Sequence, residues 1–147
     1  MAGNRYNPVD LALFIRAMAL ARHAQRASSV PLPQLVAQMS RRRGRFQSHS
    51  EDRLGRATAR ATSRWSRWFG GLDTCLVRSL VLGALLADRT NVALNIGFRP
   101  GENRLTLDGH AWVTIDGLPV GPDGIRADGH YSRLLAVPFG DREKNDD

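Results

Sequence analysis

Residues 73–86 read DTCLVRSLVLGALL, and the only cysteine of the chain, Cys75, opens the apolar run. An Asp-Thr pair ahead of such a run is a helix-start signature, because either side-chain oxygen can accept a bond from an unpaired first-turn amide. The run is apolar nearly all round, with Arg78 and Ser79 as its only polar interior residues, which predicts a central, buried helix ending at about Arg89. Cys75 then sits in the first turn, where free amides and the positive end of the helix dipole favour the thiolate, the reactive form of cysteine. A lone cysteine among leucine, valine and alanine is more often a small buried hydrophobe. Residues farther along the chain decide between the two.

Beyond Arg89 the apolar spacing changes from helical to alternating. Val92, Leu94 and Ile96 predict a strand that ends in the turn residues Arg99 to Asn103. A second strand is expected over Leu105–Ile115, the pair Asp116-Gly117 makes a tight turn, and Leu118–Val120 returns as a third strand of an antiparallel meander. Gly121 to Gly129 reads as a loop, and Tyr131 to Phe139 as a last strand or short packed segment. Gly140 to Asp147 is expected to be a disordered, charged tail.

Upstream, a helix is expected from Asn7-Pro8 to about Ala27 on the spacing of Leu11, Phe14, Ile15, Met18 and Ala21. Pro31-Leu32-Pro33 starts a shorter one carrying Leu35, Val36 and Met39. After the loop containing Arg41, Arg42 and Arg43, acids at Glu51 and Asp52 begin a helix that Gly70-Gly71 stops after Phe69. Leu54, Ala57, Ala61, Trp65 and Trp68 can share one face of it, and the tryptophans end next to Cys75. They either wall the core or line a cleft, since a flat ring shields a reacting thiol and contacts extended peptide.

The 147 residues suit one domain, expected over 1–140, with a helical Arg-rich part at 1–70 and a catalytic core at 71–140. Residues 1–70 hold thirteen arginines against three acids (13 − 3 = +10), while 71–147 hold eight basic residues against eleven acids (8 − 11 = −3). A solvated helical surface is the default meaning of the arginines; docking an acidic partner is the functional one. One cysteine excludes an internal disulfide and a Cys-rich zinc site, so no metal is expected, and a reducing, cytoplasmic setting fits. Asp10 and Arg16 interrupt the apolar stretch Val9 to Leu20, no cleavage site follows it, and no run nears the roughly 20 apolar residues of a membrane span. Neither a signal peptide nor a membrane partner is expected.

The second strand contains Gly109-His110-Ala111-Trp112-Val113, and the third is followed by Gly121-Pro122-Asp123. Cysteine, histidine and aspartate on three separate elements suit nucleophilic acyl chemistry. The thiol loses its proton to attack a carbonyl, an imidazole takes that proton and returns it to the leaving group, and a carboxylate fixes the ring. Asp116, in the tight turn, and Asp128 are further aspartates after His110 that could fill the third role. His23, on a peripheral helix, and His130, in a loop, suit structural or surface roles better than His110 does.

TCLVRSL (74–80), GHAWVTIDGLPV (109–120) and the following aspartate together resemble the transglutaminase-like cysteine protease superfamily, and within it the leader peptidases of lasso-peptide biosynthesis. The resemblance spans about Trp65 to Phe139 and implies an α+β, papain-like fold: a helical N-terminal layer and a central Cys-bearing helix packed on a small antiparallel sheet. It implies removal of the leader from a ribosomally made precursor before a partner cyclase closes the lasso, with Cys75 as nucleophile, His110 as general base and acid, and Asp123 as orienter. No cofactor is implied. The Cys75 amide would be one oxyanion donor, with Trp65 or Trp68 as a source of another, and Trp65, Trp68 and Trp112 are the candidate substrate-binding residues. Fused relatives carry a β-containing leader-recognition unit ahead of the peptidase. The helical first half here implies the stand-alone form, whose partners are the precursor peptide, a separate leader-recognition protein and the lasso cyclase, not nucleic acid. Charge reversal of Arg41, Arg42 and Arg43 is then expected to weaken partner binding. The competing readings are a transglutaminase-like acyltransferase or deamidase, and a non-catalytic Arg-rich module for nucleic acid or peptide.

Overall fold

The computed structural model describes residues 8–42, 46, 48–127 and 129–140. The expected tail at 141–147, Asp128 and Arg43 lie outside the described residues; Arg41 and Arg42 are exposed. The architecture is α+β, with helices α1 (Pro8–Ala24), α2 (Leu32–Arg41), α3 (Glu51–Phe69), α4 (Cys75–Leu86) and α5 (Gly121–Ala127), and strands β1 (Val92–Pro100), β2 (Leu107–Ile115), β3 (Leu118–Val120) and β4 (Ser132–Pro138). Among the described residues no helix is long and apolar enough to cross a membrane.

The helix starts follow the sequence signals. Ser50 accepts from the Arg53 amide at 3.2 Å to cap α3, and Gly70, at φ 68°, ends it in the left-handed region that glycine enters without strain. Thr74 accepts from the Val77 amide at 3.3 Å to cap α4. From Val77 to Leu86 every residue of α4 except Arg78 is buried, so this helix is the centre of the core, as its unbroken apolar character requires. Leu35, Val36 and Met39 of α2 and Leu13, Ala17, Leu20 and Ala21 of α1 pack into the same core.

The sheet is antiparallel, in the order β3-β2-β1-β4. Asp116 and Gly117 both have positive φ, 51° and 80°, which is the geometry of the two-residue hairpin turn between β2 and β3. Alternation sorts each strand. Val92 and Leu94 of β1 and Ala111 and Val113 of β2 join the α4 side chains in the core, and the intervening Asn95, His110, Trp112 and Thr114 therefore project from the other face.

Four expectations change. The first helix gives way at Gln25 to a 3-10 turn through Ser28. The second strand starts at Leu107, because the Asn103 side chain takes the Leu105 amide at 3.1 Å and bonds Thr106 as well, holding the turn two residues longer. The expected loop Gly121–Gly129 contains α5: Gly121 turns the chain at φ 73°, Pro122 supplies a helix-compatible φ, and Gly124 packs closely on Pro119. Trp68 is off the buried face of α3, which is formed by Leu54, Gly55, Thr58, Ala61 and Thr62. Of the two possibilities for the last segment the structure has the strand, paired with β1.

Candidate active site

Cys75 is the first residue of α4 and half-buried, so its thiol lies at the one end of this helix that reaches the surface. Arg78 is one turn further on and shares that face. Its guanidinium donates from Nε and Nη2 to the two carboxylate oxygens of Asp123, at 3.0 and 3.1 Å, and from Nη1 to the Asp73 carboxylate at 3.0 Å and carbonyl at 3.2 Å. This fork-on-carboxylate geometry is what a planar guanidinium favours. The hydrogen bond to Asp123 is the main cause that raises the Arg78 pKa further above its already high value, so the cation is permanent. One charged side chain thus ties the Cys75 turn to α5 and to the loop ahead of α4.

His110 completes the link. Its Nε2 lies 2.8 Å from the main-chain carbonyl oxygen of Asp123. A carbonyl only accepts, so Nε2 carries the proton, and in the neutral ring Nδ1 is left with its lone pair. The imidazole is also held by its faces: it stacks on Tyr131 at 4.9 Å and 28°, with Trp112 at 6.0 Å and 18°. Arg99 lies over the Tyr131 ring at 4.9 Å from its centroid. Gly97 allows this packing, since a Cβ there would meet the Trp112 ring at 2.8 Å.

The Asp123 carboxylate, expected to orient the imidazole, does not reach it. The main-chain carbonyl of Asp123 engages His110 instead, because Arg78 holds both carboxylate oxygens. Asp116 is in the β2–β3 turn, where its carboxylate accepts from Asn91 at 2.7 Å. His23 is buried on α1 beside Gln38, and burial pushes its pKa down. His130 is exposed in a turn after α5. Of the three candidate tryptophans, Trp112 adjoins His110, Trp65 packs on Phe69 at 4.3 Å and against Gly71 in the loop before α4, and Trp68 is 56% exposed under Arg64. A cavity of about 210 Å³ lies behind the Arg78–Asp123 pair, between α3, α4 and α5. Among the described residues no cluster of three or more His, Cys, Asp or Glu side chains is arranged to hold a metal ion.

No motif in the sequence assigns a role to Arg78 or Tyr131. Arg78 carried a signal, being the sole charge inside an otherwise apolar helix and spaced i, i+3 from the cysteine. Tyr131 carried none, as its approach to His110 depends on the return of β4 beside β1.

Among the described residues no hydrogen bond joins Cys75 to His110; the Cys75 turn is connected to the histidine only through Arg78 and Asp123, within an α+β architecture. The sequence model of the Transglutaminase-like superfamily matches residues 12–136, and the chain belongs to that superfamily, whose members are typically cysteine-dependent enzymes. The α+β architecture fits the papain-like fold. No curated protein and no solved structure matches the chain.

Proposed function

We propose that the protein is a cysteine peptidase that removes the leader from a lasso-peptide precursor, ahead of a partner cyclase. The observation that supports the reading is the connection of the Cys75 turn, through Arg78 and Asp123, to the His110 ring, whose Nε2 lies 2.8 Å from the Asp123 carbonyl oxygen. In the proposed reaction His110 Nδ1 takes the thiol proton and Cys75 Sγ attacks the scissile carbonyl. The tetrahedral oxyanion is met by first-turn amides, the Cys75 amide among them. The C–N bond then breaks, His110 protonates the departing amine of the core peptide, and the leader remains as a thioester. Water, deprotonated by His110, releases the leader acid and the thiol.

The reading assigns leader recognition to a separate protein and places the site in the cytoplasm beside the cyclase. Incubating the protein with precursor and recognition partner should give separate leader and core masses by mass spectrometry. Cys75→Ala should abolish them while leaving the circular dichroism spectrum unchanged, and cleavage by that variant refutes the assignment of the nucleophile.

Asp123→Asn separates the two groups of that residue. The main-chain carbonyl survives the substitution and the asparagine side-chain oxygen can still accept one bond from Arg78, so turnover should fall by no more than about tenfold. A carboxylate acting directly on the imidazole would make the loss nearer ~10⁴-fold.

A further inference from the structure

We propose that the outward face of α3 docks an acidic stretch of the peptide substrate, an inference that rests on the peptidase reading above. Arg53, Arg56, Arg60, Arg64 and Arg67 recur at spacings of three and four, which puts them on one stripe, opposite the buried Leu54, Thr58 and Thr62. All but the half-buried Arg53 are exposed. At 1.5 Å per residue the stripe is about 21 Å long, the reach of roughly six extended residues.

The two ends give the stripe its selectivity. At the first end Arg53, Arg56 and Arg60 rim a groove of about 370 Å³ against α1, with Leu13, Phe14 and Ala57 as its apolar lining. Arg53 is engaged by Asp10 and Arg56 lies 3.8 Å from Asp52, whereas Arg60, Arg64 and Arg67 form no ion pair among the described residues. At the second end Arg64 lies 5.5 Å over the ring of Trp68, and exposed Phe69 and Leu72 follow. Leu72 is three residues before Cys75, so the stripe delivers its occupant to within about 11 Å of the nucleophile. Unpaired guanidinium groups take carboxylates, and the Trp68–Leu72 surface takes an apolar side chain; a polypeptide offers both. A polyanion without apolar side chains leaves that surface uncovered.

Cys75→Ala protein binds without turnover and is the form to titrate, by calorimetry, with a short synthetic peptide alternating glutamate and leucine, with its glutamine counterpart, and with a single-stranded DNA oligonucleotide of equal charge. The glutamate peptide should bind and the glutamine peptide should not. Joint substitution Arg60→Ala, Arg64→Ala and Arg67→Ala should weaken binding about tenfold, and the joint lysine substitutions should retain most of it, as expected for exposed charge pairs. Unchanged affinity in the alanine variant, or tighter binding of the oligonucleotide than of the glutamate peptide, overturns the inference. Cleavage of the precursor is read separately on protein with Cys75 intact. Arginine-dependent binding without any cleavage overturns the peptidase reading alone, and cleavage whose KM ignores the three alanine substitutions overturns the docking alone.

Discussion

Helices α3 and α4 are entered alike, each through a hydroxyl that accepts from the amide three residues on, at 3.2 Å for Ser50 and 3.3 Å for Thr74. Beyond that turn they diverge. α3 buries one face and shows a row of arginines to water, while α4 is buried over nearly its whole length and meets the surface only at its first turn. Each holds an internal glycine, Gly55 and Gly83, in opposite settings: a Cβ at Gly55 would meet nothing within 4 Å, and one at Gly83 would lie 2.2 Å from the Phe139 ring. The same local chemistry thus serves as a plain helix start in α3 and as the entry to the candidate site in α4. What distinguishes them is how much protein surrounds the turn, and which charges reach it.

The largest effect is expected at the charge that makes this difference. Arg78→Met keeps the volume of the side chain and removes the link between α4 and Asp123. Cleavage should fall about a hundredfold, the cost of displacing a reacting group by around an ångström. The folded state should also lose about 1–3 kcal/mol in chemical denaturation, because Asp123, with 14% of its side chain exposed, is left without its cation. Arg60→Met, on the solvent face of α3, should leave thermal stability within about 0.5 kcal/mol. If both substitutions prove silent, the contrast between the helices has no energetic content.

Much of this layout was legible in the sequence. The two helix starts, the α3 stop at Gly70 and the Asp116-Gly117 hairpin rest on short-range rules, and the structure follows them. α5 was not legible, because a segment with two glycines and a proline has low helix propensity and is stabilised by packing on Pro119 and Leu82. The role of Arg78 was hidden for another reason: its partner Asp123 is 45 residues away. No pattern of side-chain types could have assigned His110 to a carbonyl, since every residue has one.

Gly83→Ala sharpens the packing half of the contrast. Helix propensity favours alanine by up to about 1 kcal/mol, yet the new methyl must displace Phe139. That ring is buried, and its own amide is fixed by a 2.8 Å bond to the Val92 carbonyl. The net change should be a destabilisation of about 1–2 kcal/mol, read as an earlier urea midpoint. Combining it with Phe139→Leu should recover part of the loss.

The two caps provide a matched pair. Ser50→Ala and Thr74→Ala each remove one hydroxyl acceptor and should each cost about 1 kcal/mol of stability. Only Thr74→Ala should also lower the cleavage rate, by a few fold, because its helix start carries Cys75. Equal rates in the two variants would show that the Cys75 turn is held by Arg78 and the core rather than by its cap.

The smallest effect, and the only stabilising one, is expected for Gly55→Ala. The glycine is buried in the second turn of α3 and lines the 210 Å³ cavity behind Arg78 and Asp123, so an added methyl enters empty space. Helix propensity then acts unopposed, and the variant should gain about 0.5–1 kcal/mol, a rise of roughly 2–4 °C in Tm by calorimetry. Cys75 and His110 are not among the cavity's lining residues, so cleavage should be unchanged. A loss of activity at raised Tm would mean that the space behind the ion pair is used, either by substrate or by movement of Arg78. The buried side of α3 would then belong to the active site as much as α4 does.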